Sequence, residues 1–147
     1  MVLRLVLDTN VWLDWLVFDD PGIQSLRLAA KQGVATIFID EACIDELARV
    51  LAYPLRRQPL TAAEQAACIA ACRANVRIVE PGPAPSDLPA CSDPDDQKFL
   101  ELADRADAHC LLSKDRALLA LARKRAIKFH IMTPDRFSPS NSLESQG

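Results

Sequence analysis

Residues 2–7 (VLRLVL) form an aliphatic run broken by one arginine, and the next three, Asp8-Thr9-Asn10, are polar. Together they predict a buried strand that runs directly into a helix N-terminus. Apolar positions at helical spacing (Ile23, Leu26, Leu28, Ala30) predict a helix over 22–32, with Gly33 as its C-terminal cap. A second strand is expected over 35–39 (ATIFI). Asp40 is placed to cap a following helix whose apolar residues Ile44, Leu47, Val50 and Leu51 recur at three and four before Pro54 stops it. Thr61 with Glu64 three residues later is a capping box for an alanine-rich helix over 61–75, and 76–79 reads as a third strand. Pro81, Pro83, Pro85 and Pro89 mark an ordered surface connection. Beyond it, Asp93-Pro94-Asp95-Asp96 opens a helix through Leu102, and 109–113 (HCLLS) is a fourth strand. A helix over 116–124 and a strand over 127–132 close the pattern.

Strands alternate with helices, and the strands are continuous apolar runs rather than alternating ones. This predicts a three-layer α/β/α sandwich around a central, mainly parallel sheet of about five strands. We expect a single domain over 1–137 and a polar tail over 138–147. Such sheets bind ligands beyond the carboxyl ends of their strands, where the strand order reverses.

Composition refines this reading. Half of the 147 residues are hydrophobic but only 5% are aromatic, so the core is expected to be aliphatic and rich in alanine. Five cysteines without a C-x-x-C pair point to a reduced, intracellular chain. Arg4, Asp8, Asn10 and Asp14 interrupt the apolar N-terminus, and no later run approaches membrane-spanning length, which predicts a soluble, cytoplasmic protein. With 17 basic and 20 acidic residues the net charge is −3, which excludes nucleic-acid binding by bulk positive charge.

The acids carry the chemistry. Asp8 and Asp115 each follow a strand and so lie on one edge of a parallel sheet; Asp96 and Glu46 sit on helices that can face the same edge. Carboxylates converging there repel by about 3 kcal/mol per pair at ~5 Å and an effective dielectric near 20. Either protons are taken up or a divalent cation occupies the cluster. Oxygen-only donors suit Mg²⁺ or Mn²⁺ and metal-assisted phosphodiester hydrolysis. Each acid also has a plain structural use. Asp93 reads as a helix cap, Asp96 as a first-turn residue, Asp8 as an N-cap and Glu46 as a solvated helix position. Their combination favours a site.

The segments Leu7-Asp8-Thr9-Asn10-Val11, Asp45-Glu46-Leu47, Asp93-Pro94-Asp95-Asp96 with Phe99-Leu100-Glu101-Leu102-Ala103, and Ser113-Lys114-Asp115 with Leu118-Leu119 occur in that order. In this set the chain resembles PIN-domain nucleases, most of all the toxin–antitoxin PIN group related to VapC-type toxins. The resemblance implies a Mg²⁺- or Mn²⁺-dependent ribonuclease whose acidic ligands are Asp8, Glu46, Asp96 and Asp115, with Thr9 and Asn10 as auxiliary groups. It further implies an RNA substrate, a small antitoxin protein as partner and a homodimer. Ser113-Lys114 replaces the Thr-Gly common in such relatives, placing a cation beside Asp115. Lys114 then contacts a substrate phosphate or points to solvent.

Six basic residues between 114 and 128, with Arg56 and Arg57 elsewhere, offer a local rim for phosphates, although Arg123 to Arg125 also fit a solvated helix face. Trp12, Trp15, Cys68 and Cys72 read as packing residues, and His109 and His130 as strand positions. Two other functions remain open: a PIN-like module that binds RNA without cleaving it, and a Mg²⁺-dependent phosphatase. The second is disfavoured because Asp8-Thr9-Asn10 lacks a second aspartate two positions on.

Overall fold

The N-terminal aliphatic run becomes β1 (Leu3–Leu7), the central strand of the sheet. The structure, a computed structural model, describes residues 1–83, 85 and 87–139. The polar tail expected at 138–147 therefore lies almost entirely outside the described residues. After β1 come α1 (Thr9–Leu13), a π-helical turn (Asp14–Phe18), a 3₁₀ turn (Pro21–Ile23) and α2 (Gln24–Lys31). These lead to β2 (Ala35–Ile39), α3 (Glu41–Leu51), α4 (Ala62–Ala74) and β3 (Val76–Ile78). A 3₁₀ turn (Pro94–Asp96) leads into α5 (Gln97–Arg105), then β4 (Cys110–Leu112), α6 (Arg116–Leu119), β5 (His130–Met132) and a last 3₁₀ turn (Pro134–Arg136).

All four strand pairings are parallel, and the order is β3-β2-β1-β4-β5. The chain builds outward from β1 to β3, then returns to the other side of β1 and builds outward again. The reversal falls between β1 and β4, whose register pairs Leu7 with Leu112. Residues that follow these two strands therefore share the crevice where a sheet of this type holds ligands.

The core is aliphatic, as the composition predicts. Leu5, Val6, Cys110, Leu111 and Leu112 are inaccessible to solvent, which fits strands covered on both faces. α5 packs on β1 and β4 through its Phe99, Leu100, Leu102 and Ala103 face, and α2 packs on β2. Trp12 and Trp15 stack on each other at 5.3 Å between ring centroids, so both are packing residues. The capping box forms in both directions, Glu64 N–H donating to Thr61 Oγ at 3.1 Å and Thr61 N–H to Glu64 Oε1 at 2.9 Å. None of the five cysteines forms a disulfide. Among the described residues no helix is long and apolar enough to cross a membrane.

Several elements are shorter than the sequence pattern predicts, among them the helix and the strand that follow β4. The helix expected over 116–124 keeps α-helical bonding only to Leu119. Beyond it Leu121, Ala122 and Lys124 donate to carbonyls three residues back, and the exposed Arg123 to Arg125 give that segment no apolar face to bury. The strand expected over 127–132 is confined to His130–Met132, the three residues that pair with β4.

Candidate metal centre

Asp8 ends β1 with its N–H bonded to Leu112 O at 3.1 Å, and its extended backbone starts α1. One carboxylate oxygen, Oδ1, accepts from Val11 N–H at 3.0 Å, so the cap anticipated from sequence is real. The other, Oδ2, accepts from the hydroxyl of Ser113. Cap and site are therefore the same residue, with one oxygen for each use. Burial pushes the Asp8 carboxyl from 3.8 up to about 6; the nearby charge of Asp115 pushes the same way, while the bonds from Ser113 and Val11 oppose it.

Ser113 is inaccessible to solvent and joins the two strand ends. Its hydroxyl donates to Asp8 and accepts from Asp115 N–H at 2.9 Å. Asp115 in turn caps α6, with Oδ1 accepting from Ala117 N–H at 2.7 Å. The acids of β1 and β4 are thus held at fixed separation by one buried hydroxyl.

The third part of the site comes from the turn before α5. Asp93 caps it, Oδ1 accepting from Asp95 N–H at 3.0 Å, and Pro94 occupies the first helical position, where its missing N–H costs nothing. Asp96 then projects toward Asp115. Burial and the charges of Asp115 and Asp93 push its carboxyl up to about 7. Its Oδ2 is buried without a hydrogen-bond partner. Asp93, Asp96 and Asp115 each bring a carboxylate oxygen within 4.8 Å of the others. Asp93, read from sequence as a cap alone, is both a cap and a member of this group.

Glu46 projects from α3. Thr9 donates its hydroxyl to Glu46 Oε2, and Lys98 of α5 sets its ammonium 2.5 Å from Oε1. Asp8, Glu46, Asp96 and Asp115, with Thr9, Asn10 and Asp93, line one cavity of about 230 Å³. All four acids singled out in the sequence are thus together, drawn from positions up to 107 residues apart. Lys114 stands apart from them: its ammonium is 2.5 Å from Oδ2 of the buried Asp14, where a neighbouring cavity is also lined by Asp20 and Asp135. Arg116, Arg123, Lys124, Arg125 and Lys128 are exposed.

The sequence pattern does not single out Lys98, and it marks Ser113 only as a neighbour of Asp115, without a role in the site. The signal for Ser113 is its register: with Leu7 opposite Leu112, the residue after each strand faces the other, and a hydroxyl ends an otherwise apolar run there. Lys98 has no comparable signal, because its partner lies 52 positions away.

The donors are all oxygens, one is buried without a partner, and burial with the neighbouring carboxylates raises the carboxyls of Asp8 and Asp96. A hard divalent ion fits that set, since it offsets the carboxylate charge and satisfies the orphan oxygen.

No curated protein matches the chain. Among solved structures it is similar to the crystal structure of PAE2754 from Pyrobaculum aerophilum, with a TM-score of 0.60 and 15% identity over 97% of this chain and 90% of that one, a likeness of fold. A PIN-domain sequence profile matches residues 4–117, a span that contains every acid of the cavity. PIN domains are typically nucleases that bind divalent metals, and with the profile covering most of its length this chain belongs to the PIN-domain family.

Proposed function

We propose that this PIN-domain protein is a Mg²⁺- or Mn²⁺-dependent ribonuclease and the toxin of a toxin–antitoxin pair, working as a homodimer restrained by a small antitoxin protein. The observation that carries the nuclease reading is the convergence of Asp8, Asp96, Asp115 and Glu46 on one cavity in which a buried Asp96 oxygen has no partner. The toxin role, the antitoxin and the dimer rest on the resemblance of the acidic motifs to the toxin–antitoxin PIN group.

Asp96 and Asp115, with Asp93 and Asp8 beside them, are the residues that would hold the ion. When bound, a divalent ion lowers the pKa of water and stabilises charge on phosphoryl oxygens. The protein's part is positional. Val11 N–H and Ser113 fix the two oxygens of Asp8, Ser113 and the start of α6 fix Asp115, and Thr9 turns Glu46 toward the cavity. Asn10 is exposed at the cavity mouth, placed for a substrate contact. The exposed cations around α6 supply a local rim for the RNA backbone despite the net negative charge.

The test is cleavage of a structured RNA in Mn²⁺, in EDTA and with Asp8→Asn. Cleavage only by the wild type in Mn²⁺ supports the proposal. RNA that is bound but intact under every condition supports the non-cleaving module instead.

A further inference from the structure

Glu46 lines the same cavity as the three aspartates that approach one another but is not one of their group, and both of its oxygens are engaged. Oε2 accepts from the Thr9 hydroxyl, and Oε1 takes the Lys98 ammonium at 2.5 Å. The ion pair is largely out of solvent, the side chains being 15% and 29% exposed, and it ties α3 to α5. Lys98 itself opens onto a second cavity of about 300 Å³, where Arg105 lies alongside.

A carboxylate whose charge is cancelled at contact distance attracts a dication weakly, and the ammonium repels one. Two-ion phosphodiesterase centres set their ions ~3.5–4 Å apart, and a second hard ion needs oxygen donors of its own. Here three carboxylate oxygens lie within 4.8 Å of one another, and the group does not include Glu46. Glu46, which lines the same cavity, is a carboxylate already neutralised from within the chain.

Resting on the metal-centre reading above, we propose that Lys98 is a positioning residue that reserves Glu46 from metal binding, so that the cavity takes a single divalent ion on the Asp93, Asp96 and Asp115 side. Glu46 then serves as the fixed acidic wall of the cavity, oriented by Thr9 and Lys98.

Mn²⁺ binding to the full chain, followed by isothermal titration and by the electron paramagnetic resonance signal of the free ion, tests this without reference to cleavage. Wild type is expected to bind one Mn²⁺ equivalent, Lys98→Met two, and Lys98→Arg one, because the arginine restores the cation at Glu46. Circular dichroism establishes that the variants are folded. Two equivalents in the wild type, or one in folded Lys98→Met, overturns the proposal while leaving the metal centre standing. No Mn²⁺ bound by the wild type overturns the metal-centre reading, and this proposal with it.

Discussion

The hydroxyl of Ser113 donates to Asp8 Oδ2 while accepting from the backbone N–H of Asp115, so one inaccessible side chain sets the relation between the acids at the ends of the two central strands. Ser113→Ala leaves an Asp8 oxygen and the Asp115 N–H without their partner in a buried place. The expected cost is about 1–3 kcal/mol in urea denaturation. Because the Ser113 bond lowers the Asp8 pKa, its loss should raise that pKa further, visible as an upward shift of the Asp8 carboxyl titration followed by carbon-13 NMR. An unchanged titration would remove Ser113 from this role.

Asp8 and Asp96 have carboxyls raised from 3.8 to about 6 and about 7. A pKa raised on folding means that the folded protein binds its proton more tightly than the unfolded chain does. That contribution is fully present below 3.8 and is lost as pH rises through about 6 and 7. In EDTA the melting temperature of the wild type should therefore fall between pH 4 and pH 8 more steeply than that of Asp8→Asn, whose amide does not titrate. Mn²⁺ should reverse the wild-type loss at the upper end. Equal pH slopes for the two proteins in EDTA would contradict the burial argument for Asp8.

Away from the site, Asp40 does two jobs at the start of α3. Oδ1 accepts from Cys43 N–H at 2.9 Å, and Oδ2 is 2.7 Å from the Arg105 guanidinium, with both side chains mostly buried. Arg105→Met strands the carboxylate and should cost about 3 kcal/mol. Asp40→Ala should cost about 1 kcal/mol for the cap in addition to stranding the arginine. Chemical denaturation of the two single variants and the double variant measures the coupling, and additive losses would show that the pair contributes nothing.

The sequence marks those parts of the structure that are written locally. The Thr61–Glu64 capping box, the Asp40 and Asp8 caps, and the apolar runs of β1 and β2 follow from neighbours within four positions, and each is found as expected. Asp8, Asp96 and Asp115 are legible because strand ends and helix starts fall on one edge of a parallel sheet, and Glu46 because it lies inside the helix that follows β2. What is not legible depends on contacts across the chain. Lys98 of α5 meets Glu46 of α3 across 52 positions, and Lys114 meets Asp14 at the start of the π-helical turn. The early end of α6 reflects the absence of a buried face, which basic residues at helical spacing conceal.

The central proposal is that Asp8, Asp96 and Asp115 hold the divalent ion, with Glu46 as the acidic wall of the cavity. Its most direct test is the rate of RNA cleavage in Mn²⁺ by wild type and by Asp8→Asn, in which the asparagine still caps α1 and the fold is kept. The prediction is cleavage by the wild type that EDTA abolishes and excess Mn²⁺ restores, with a loss of at least about a hundredfold in Asp8→Asn, on the scale of removing one charge-stabilising group. Cleavage that persists undiminished in Asp8→Asn, or in EDTA, would contradict it.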